Sequence, residues 1–212
     1  MDVIYIVLAA GKLRINIFTI CAILLIFYLE SPISALLLIA AALVHEFGHF
    51  IAMKCSGCGF KRIDVEPFGA TIVYDAAKTG YRAEVMTALG GPIAGITAAA
   101  AGWLCFLYFS SPLLLMFILA SILFSFVNLM PMTTLDGGVA LRAILLQRSE
   151  PDRAEYALKL VSLITAAILC VFSVVLLQFT SFNISLMALT GFQIAIIFAE
   201  IITGSRNRKI AI

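Results

Sequence analysis

The chain has 212 residues, of which 63% are hydrophobic and only 12% are charged. Soluble domains lie nearer half apolar and a quarter charged, so this composition excludes an ordinary soluble domain and indicates a membrane protein. The formal net charge of +2 is small, and no basic patch is interleaved with aromatic residues, so the sequence predicts no nucleic-acid partner.

Six apolar runs approach or exceed the roughly 20 residues that a helix needs to cross a bilayer. Several of the breaks between them contain Ser, Pro or Asn, which favour turns. We therefore predict an all-α polytopic membrane protein with about six transmembrane helices. The predicted helices lie at 15–29, 32–53, 84–109, 113–131, 156–179 and 184–203.

The distribution of basic residues predicts the orientation in the membrane. With a cytoplasmic N-terminus, the cytoplasmic segments are 1–14, 54–83, 132–155 and 204–212. All 14 Lys and Arg residues lie in these segments or in the adjoining helix turns, whereas Glu30 is the only charge in the turns on the other side. Because short loops rich in Lys and Arg stay in the cytoplasm, we predict an integral membrane protein with both termini cytoplasmic.

Two histidines interrupt the second apolar run. His45 and His49 are the only histidines of the chain and lie one turn apart on one helix face, so two imidazoles can reach one ion. Glu46 lies beside them, where it can act as the general base of a zinc hydrolase. A chance pair of core histidines is the alternative. However, each ionisable group at membrane depth costs roughly 2–3 kcal/mol or more, and one bound dication accounts for all three together.

The depth of this motif follows from helix rise. His45 precedes the end of the predicted helix at Met53 by about 8 residues, or roughly 12 Å at 1.5 Å per residue. The site is therefore expected inside the membrane but nearer the cytoplasmic face.

A catalytic zinc site usually has a third protein ligand, and Asp136 is the best candidate. It follows Pro131, which ends the fourth predicted helix, and precedes Gly137 and Gly138, which let the backbone turn sharply. An ordinary Asp-Gly-Gly turn with a capping aspartate is the alternative. The remaining carboxylates considered lie in polar or charged loops: Asp64, Glu66, Asp75, Glu84, Glu150, Asp152 and Glu155.

The cysteines Cys55 and Cys58 form a single CxxC pair after the second predicted helix. A zinc ribbon needs a second such pair, which this sequence does not contain. We interpret the pair as free thiols in a loop, with a structural metal or redox site as the alternative.

The motifs HEFGH and NLMPMTTLDGG, in this order on membrane helices, resemble those of the site-2 proteases, which are intramembrane zinc metalloproteases. The compact type represented by the sporulation factor IVFB is the most similar. The resemblance implies one zinc ion on His45, His49 and Asp136. It also implies that Glu46 is catalytic and that Asn128 lies near the scissile carbonyl.

Two weaker matches agree with this resemblance. Pro67, Phe68 and Gly69 resemble the Pro-x-Gly loop of the family, a membrane-dipping β-hairpin that follows the HExxH helix. Gly91 and Pro92 resemble its Gly-Pro stretch at the start of helix three. The resemblance thus implies that these five residues contribute to substrate binding.

The implied domain organisation is simple. Residues 1–212 are expected to form a single intramembrane metalloprotease domain, without the nucleotide-sensing CBS domain or the PDZ domains of other branches. Such a protease would cleave a peptide bond in or near the transmembrane segment of a membrane-tethered regulatory protein in a bacterial cell membrane. Its partners would be that substrate, the lipid bilayer and a membrane-protein regulator.

A substrate helix must unwind before its peptide bond can be attacked, and its freed backbone groups then need new partners. The hairpin at about 60–74 could supply them by adding the substrate as a strand, and residues 3–8 could pair there too. The alternative functions are a divalent-metal transporter and a non-catalytic membrane adaptor. A transporter would need polar ligands along a path, and the helices offer few: Asn128, Gln193 and Glu200.

Overall fold

The architecture was analysed in a computed structural model that describes residues 5–8, 12–29, 31–58, 60–66, 69–74 and 79–179. The chain forms two compact units, one from Met1 to Asn128 and one that begins at Leu129. The elements are, in chain order, β1 (Tyr5–Leu8), β2 (Leu13–Asn16), α1 (Ile17–Leu29), α2 (Pro32–Ser56), β3 (Phe60–Glu66), β4 (Gly69–Tyr74), α3 (Tyr81–Phe109), α4 (Pro112–Asn128), α5 (Asp136–Leu146) and α6 (Pro151–Phe179).

The predicted helical character is confirmed, but the number of membrane helices is not. In the described part of the chain, α2 and α3 are long and apolar enough to cross a membrane, and α4 is a shorter apolar helix. The sixth predicted helix, 184–203, lies outside the described residues. Helix α5 was not predicted, because its 11 residues fall in a stretch that the charge pattern assigned to a loop.

Local sequence signals fix both ends of α2. The Ser31 hydroxyl accepts a hydrogen bond from the Ser34 N–H at 3.2 Å, and Pro32 occupies the first turn, where no N–H is needed. At the other end Gly57 adopts a left-handed conformation with φ 73°, and its N–H bonds to the Lys54 carbonyl at 3.4 Å. The resulting helix of 25 residues carries the whole HExxH motif.

Helices α2, α3 and α4 pack on one another in the first unit. The crossing of α2 and α3 is a backbone contact: a Cβ added at Gly48 would lie 2.9 Å from the Gly90 carbonyl carbon. A Cβ added at Gly102 would likewise lie 2.9 Å from Ile118 of α4. Glycines at these crossings let helices approach closely, which is how membrane helices associate without a hydrophobic driving force.

The outward faces of these helices are apolar. Soluble monomers rarely expose contiguous apolar patches larger than a few hundred Å². Here α3 exposes large apolar side chains along much of its length, which is the surface expected of a helix that faces lipid. These residues are Ile93, Ile96, Trp103, Leu104, Leu107, Tyr108 and Phe109.

The predicted hairpin is confirmed, but it belongs to a larger sheet. Strands β3 and β4 pair antiparallel, with Glu66 opposite Gly69 at the turn. β2 pairs parallel with β3, and β1 pairs antiparallel with β2, which gives the order β1-β2-β3-β4. The all-α prediction therefore needs a correction, since the sequence indicated the hairpin but missed β2. The expected pairing of residues 3–8 with the hairpin is indirect: β1 (Tyr5–Leu8) joins the sheet through β2.

The second unit contains α5, α6 and the loop that precedes α5. Met132 of the loop is buried and forms a small core with Ala166 of α6. An ion pair joins the two helices, with Arg142 Nη2 at 2.7 Å from Glu155 Oε1. Both contacts hold the segment around the start of α5, where Asp136 lies, against α6.

Candidate metal centre

The two histidines of α2 lie side by side in the interior of the first unit. His45 is 3% exposed and His49 is 7% exposed. Their Nε2 atoms are 3.2 Å apart, and the rings meet edge to face with their centroids 4.9 Å apart. Two nitrogen ligands at about 2.0–2.1 Å from a tetrahedral zinc ion lie about 3.3 Å apart. The imidazole pair thus has the spacing that one zinc ion requires.

The orientation of His49 is set by a backbone carbonyl of α3. His49 Nδ1 lies 2.8 Å from the Thr87 carbonyl oxygen. Because a carbonyl oxygen can only accept, Nδ1 must carry the proton, and Nε2 then presents its lone pair towards His45. Ligand histidines in metalloproteins are held in this way, with the second ring nitrogen donating to a carbonyl or carboxylate. The Gly91 N–H also lies near His49 Nδ1, at the longer distance of 3.3 Å.

Gly91 leaves space beside the ligand nitrogens. A Cβ added at this position would lie 2.7 Å from His45 Nε2 and 2.6 Å from His49 Cε1. Real Cβ atoms essentially never approach other atoms within 3.0 Å. Any residue other than glycine would therefore fill the position beside both imidazoles that an ion would need.

The Thr87 side chain connects this site to the end of α2. Thr87 is buried, and its Oγ1 lies 3.4 Å from Ser56 Oγ and 3.6 Å from Cys58 Sγ. Ser56 Oγ in turn donates to the Ala52 carbonyl at 2.8 Å. This cluster of hydroxyl and thiol groups fixes the turn of α3 whose carbonyl orients His49. Cys55 and Cys58 form no disulfide.

Glu46 follows His45 on α2 and is half-buried. Its side chain is neither sealed in the core nor fully exposed. The structure thus keeps Glu46 next to the imidazole pair on the same helix.

Asp136 is the first residue of α5 and is half-buried. The two glycines that follow allow the preceding loop to fold against this helix turn: a Cβ at Gly137 would lie 2.7 Å from the Met130 carbonyl oxygen, and one at Gly138 would lie 3.0 Å from the Thr133 nitrogen. The side chains of His45, His49 and Asp136 each offer one ligand atom to a metal ion. Two imidazoles and a carboxylate are a ligand set of catalytic zinc sites.

Comparisons with known proteins found a similar family and a similar structure. Residues 85–172, which include Gly91 and Asp136, match the model of Peptidase family M50. A site-2 protease from Methanocaldococcus jannaschii has a similar structure, with a TM-score of 0.69 and 21% identity over 94% of this chain and 95% of that chain. At this identity the likeness shows a common fold. The chain is thus similar to Peptidase family M50 over part of its length and shares the fold of a site-2 protease. No curated protein sequence matches it.

The site-2 protease prediction drawn from the HEFGH and NLMPMTTLDGG motifs agrees with both of these similarities. The finer resemblance to the sporulation factor IVFB type stays a prediction. The family match begins at residue 85, so it covers α3 to α6 and not the helix that carries the histidines.

Asn128 lies at the last position of α4. Its Nδ2 donates to the Phe124 carbonyl at 3.0 Å, so its amide is held by its own helix. An amide nitrogen carries two N–H groups, so one can bond to Phe124 while the other serves the predicted role of Asn128 near a scissile carbonyl.

The residues predicted to bind substrate lie in two places. Gly69 begins β4, while Pro67 and Phe68 lie outside the described residues. Gly91 and Pro92 are buried in α3, and Gly91 faces His45 and His49 directly. The contacts of Gly91 support a role in shaping the metal site.

Two further residues have structural roles that the sequence did not indicate. Thr87 orients His49 through its carbonyl oxygen, a backbone group that every residue has, so no sequence signal marks it. Ser162 of α6 contacts the loop that precedes Asp136. Because serines are common in apolar helices, its presence alone does not indicate this role. Its partners lie about one helix away along the chain and become visible only in the fold.

Proposed function

We propose that this chain is a zinc-dependent protease that cleaves a peptide bond in or near the transmembrane segment of a membrane-tethered regulatory protein. The observation that carries the proposal is the buried imidazole pair, with Nε2 atoms 3.2 Å apart, on a helix long and apolar enough to cross a membrane. Two imidazoles at this depth are expensive unless they serve a bound ion.

We assign one zinc ion to His45, His49 and Asp136. Neutral imidazole and carboxylate suit zinc, and the spacing of the two nitrogens and the space beside Gly91 support this ligand set. When bound, zinc supplies Lewis acidity and lowers the pKa of a coordinated water.

Glu46 acts as general base and then as general acid. Its carboxylate accepts a proton from the attacking water and later gives that proton to the amine of the leaving peptide. The half-buried position of Glu46 beside the ligand helix face supports this role.

Asn128 is the candidate donor to the oxygen of the scissile carbonyl. A side-chain amide N–H directed at this oxygen stabilises the negative charge that develops as water attacks. The amide is held at the end of α4, which keeps it close to one orientation before substrate arrives.

The substrate must present an extended segment, since a peptide bond inside a helix has its carbonyl hydrogen-bonded and its faces shielded. An unwound segment in lipid needs backbone partners. Among the residues that the structure describes, the sheet ends at β1 and β4, and β2 covers the β3 side of the hairpin. We therefore propose that the substrate adds to the free edge of β4, next to Pro67, Phe68 and Gly69.

The basic residues support an orientation with both termini in the cytoplasm and the site nearer that face. This location suits the release of a regulator into the cytoplasm of a bacterial cell, and a second membrane protein would regulate the cleavage.

The test uses the purified full chain in liposomes with a fluorogenic single-span substrate. Glu46→Gln is expected to retain zinc, measured by elemental analysis, but to lower the cleavage rate at least about 100-fold. Asp136→Asn is expected to lose both zinc and cleavage. Comparing membrane proteomes of cells with wild-type protein or Glu46→Gln would then identify the natural substrate.

Undiminished cleavage by Glu46→Gln would contradict the proposed mechanism. Zinc flux across the same liposomes without any cleavage would favour a transporter instead. Neither flux nor cleavage with any membrane-protein substrate would favour a non-catalytic adaptor.

A further inference from the structure

One side chain of α6 holds the loop that leads to Asp136. Ser162 Oγ accepts a hydrogen bond from the Thr133 N–H at 3.0 Å and donates one to the Pro131 carbonyl at 3.4 Å. Ser162 is 0% exposed, so neither bond competes with water. A single hydroxyl thus binds the backbone of the loop at two points.

The loop needs such a partner for a physical reason. Residues 129–135 have neither helical nor strand structure, so their backbone groups are not paired in a regular ladder. Buried backbone N–H and C=O groups must nevertheless find partners. A serine hydroxyl, with one donor and two acceptor positions, can satisfy an N–H and a C=O at once.

The same segment of backbone lies against the first turn of α5. A Cβ added at Gly138 would lie 3.0 Å from the Thr133 nitrogen, which is the atom that donates to Ser162. Met132, between the two bonded positions, is 1% exposed and packs on Ala166, one turn after Ser162. The loop is therefore held between α6 and the helix turn that begins with Asp136.

We propose that Ser162 is a positioning residue for Asp136. Its hydroxyl fixes the backbone of the loop. Through the contact between this backbone and Gly138, it also fixes the direction in which the Asp136 carboxylate points away from α5. This inference rests on the proposed role of Asp136 as a zinc ligand. Removal of the hydroxyl would leave the Thr133 N–H and the Pro131 carbonyl buried without their partner and let the loop shift.

The test measures zinc release from the full chain in detergent with a chromogenic chelator. Ser162→Ala is expected to release zinc about 10-fold to 100-fold faster than wild type, which is the usual effect of removing a group that supports a metal ligand. Ser162→Cys keeps the side-chain volume but bonds weakly, so its rate should lie between those of wild type and Ser162→Ala. Hydrogen exchange in the peptide that contains Thr133 should rise in the same order.

Thr165→Val is the matched control. Thr165 lies on the same helix, but its hydroxyl donates to the Val161 carbonyl of that helix at 2.9 Å. Zinc release from Thr165→Val should equal that of wild type. If Ser162→Ala does not fold, Ser162→Cys provides the test. A wild-type rate of zinc release from Ser162→Cys would mean that Ser162 only fills space and would overturn the proposal.

The outcome separates this inference from the proposed function. If Asp136→Asn keeps zinc as tightly as wild type, the ligand assignment itself is wrong. If Asp136→Asn loses zinc while Ser162→Ala, folded by its thermal transition, releases zinc at the wild-type rate, only the positioning role is wrong.

Discussion

The two regions that supply the proposed zinc ligands are built in opposite ways. The histidines lie on α2, a continuous helix whose spacing alone brings His45 and His49 to one face, and glycines of α3 pack directly against it. Asp136 begins a short helix after an irregular loop, and a hydroxyl from α6 holds that loop. The spacing of ligands on a long helix follows from local geometry, and a distant carbonyl sets only the ring orientation of His49. A ligand at a loop end depends on distant contacts for its position.

The largest effect is expected at Gly91, which leaves space for the ion beside the histidines of α2. Gly91→Ala places a Cβ 2.7 Å from His45 Nε2, so the imidazoles or α3 must move. We expect zinc affinity to fall about 100-fold or more, with loss of cleavage. Competition with a chelator of known affinity measures the change in zinc affinity.

Gly80→Ala is the control for Gly91→Ala, because a Cβ at Gly80 meets no atom within 4 Å. It should bind zinc like wild type. Wild-type zinc affinity in Gly91→Ala would mean that the ion does not lie beside this glycine and would contradict the assigned site.

The second effect concerns the packing that keeps the histidine helix in place. Gly48→Ala introduces a Cβ 2.9 Å from the Gly90 carbonyl carbon, and backbone cannot yield as a flexible side chain can. Overpacking of this kind costs roughly 1–3 kcal/mol, which should appear as a lower free energy of unfolding in detergent.

Leu43→Ala serves as the control on the same helix, since Leu43 is exposed and faces away from this crossing. Its free energy of unfolding should stay within about 0.5 kcal/mol of the wild-type value. Equal losses for Leu43→Ala and Gly48→Ala would show that the close helix contact is not what stabilises this region.

The difference between the two regions also explains what the sequence could predict. The proximity of His45 and His49 follows from their spacing on one helix, so the sequence could predict it, whereas the catalytic role of Glu46 stays a prediction. Asp136 was recognisable by the glycines that follow it. Strand β2 was missed because its four residues run directly into an apolar helix, and their β-structure depends on pairing with Ile63 and its neighbours far along the chain.

Helix α5 was missed for a related reason. Its hydrophobic pattern is short, and its charged surroundings are typical of a loop. The ion pair between Arg142 and Glu155 and the packing of α6 stabilise it, and both depend on tertiary structure. The roles of Thr87 and Ser162 are likewise created by the fold, because each acts through contacts that are distant in sequence.

The third prediction addresses the region that carries Asp136. Arg142 and Glu155 are 2.7 Å apart, and their side chains are only 23% and 16% exposed. Arg142→Met keeps much of the side-chain packing but leaves the carboxylate without its guanidinium, so the free energy of unfolding should fall by about 1 kcal/mol. Arg153→Met is the control: Arg153 and Glu150 are 3.6 Å apart and 81% and 77% exposed, so the change should stay within about 0.3 kcal/mol. A similar result for both variants would remove the ion pair from the account of how α5 is held.

The smallest effect is expected at Thr87, and it tests the comparison directly. Thr87→Val removes the hydroxyl near Ser56 and Cys58 but keeps the carbonyl that accepts from His49 Nδ1. Because α2 already fixes the histidine, zinc release should accelerate only about threefold, the effect of losing one weak hydrogen bond of roughly 0.6 kcal/mol. Thr97→Val, which removes an exposed hydroxyl bonded within α3, should leave the rate of zinc release unchanged.

If Thr87→Val instead releases zinc as fast as Ser162→Ala, a ligand on a long helix depends on distant contacts as much as a ligand on a loop. The proposed difference between the two regions would then be wrong.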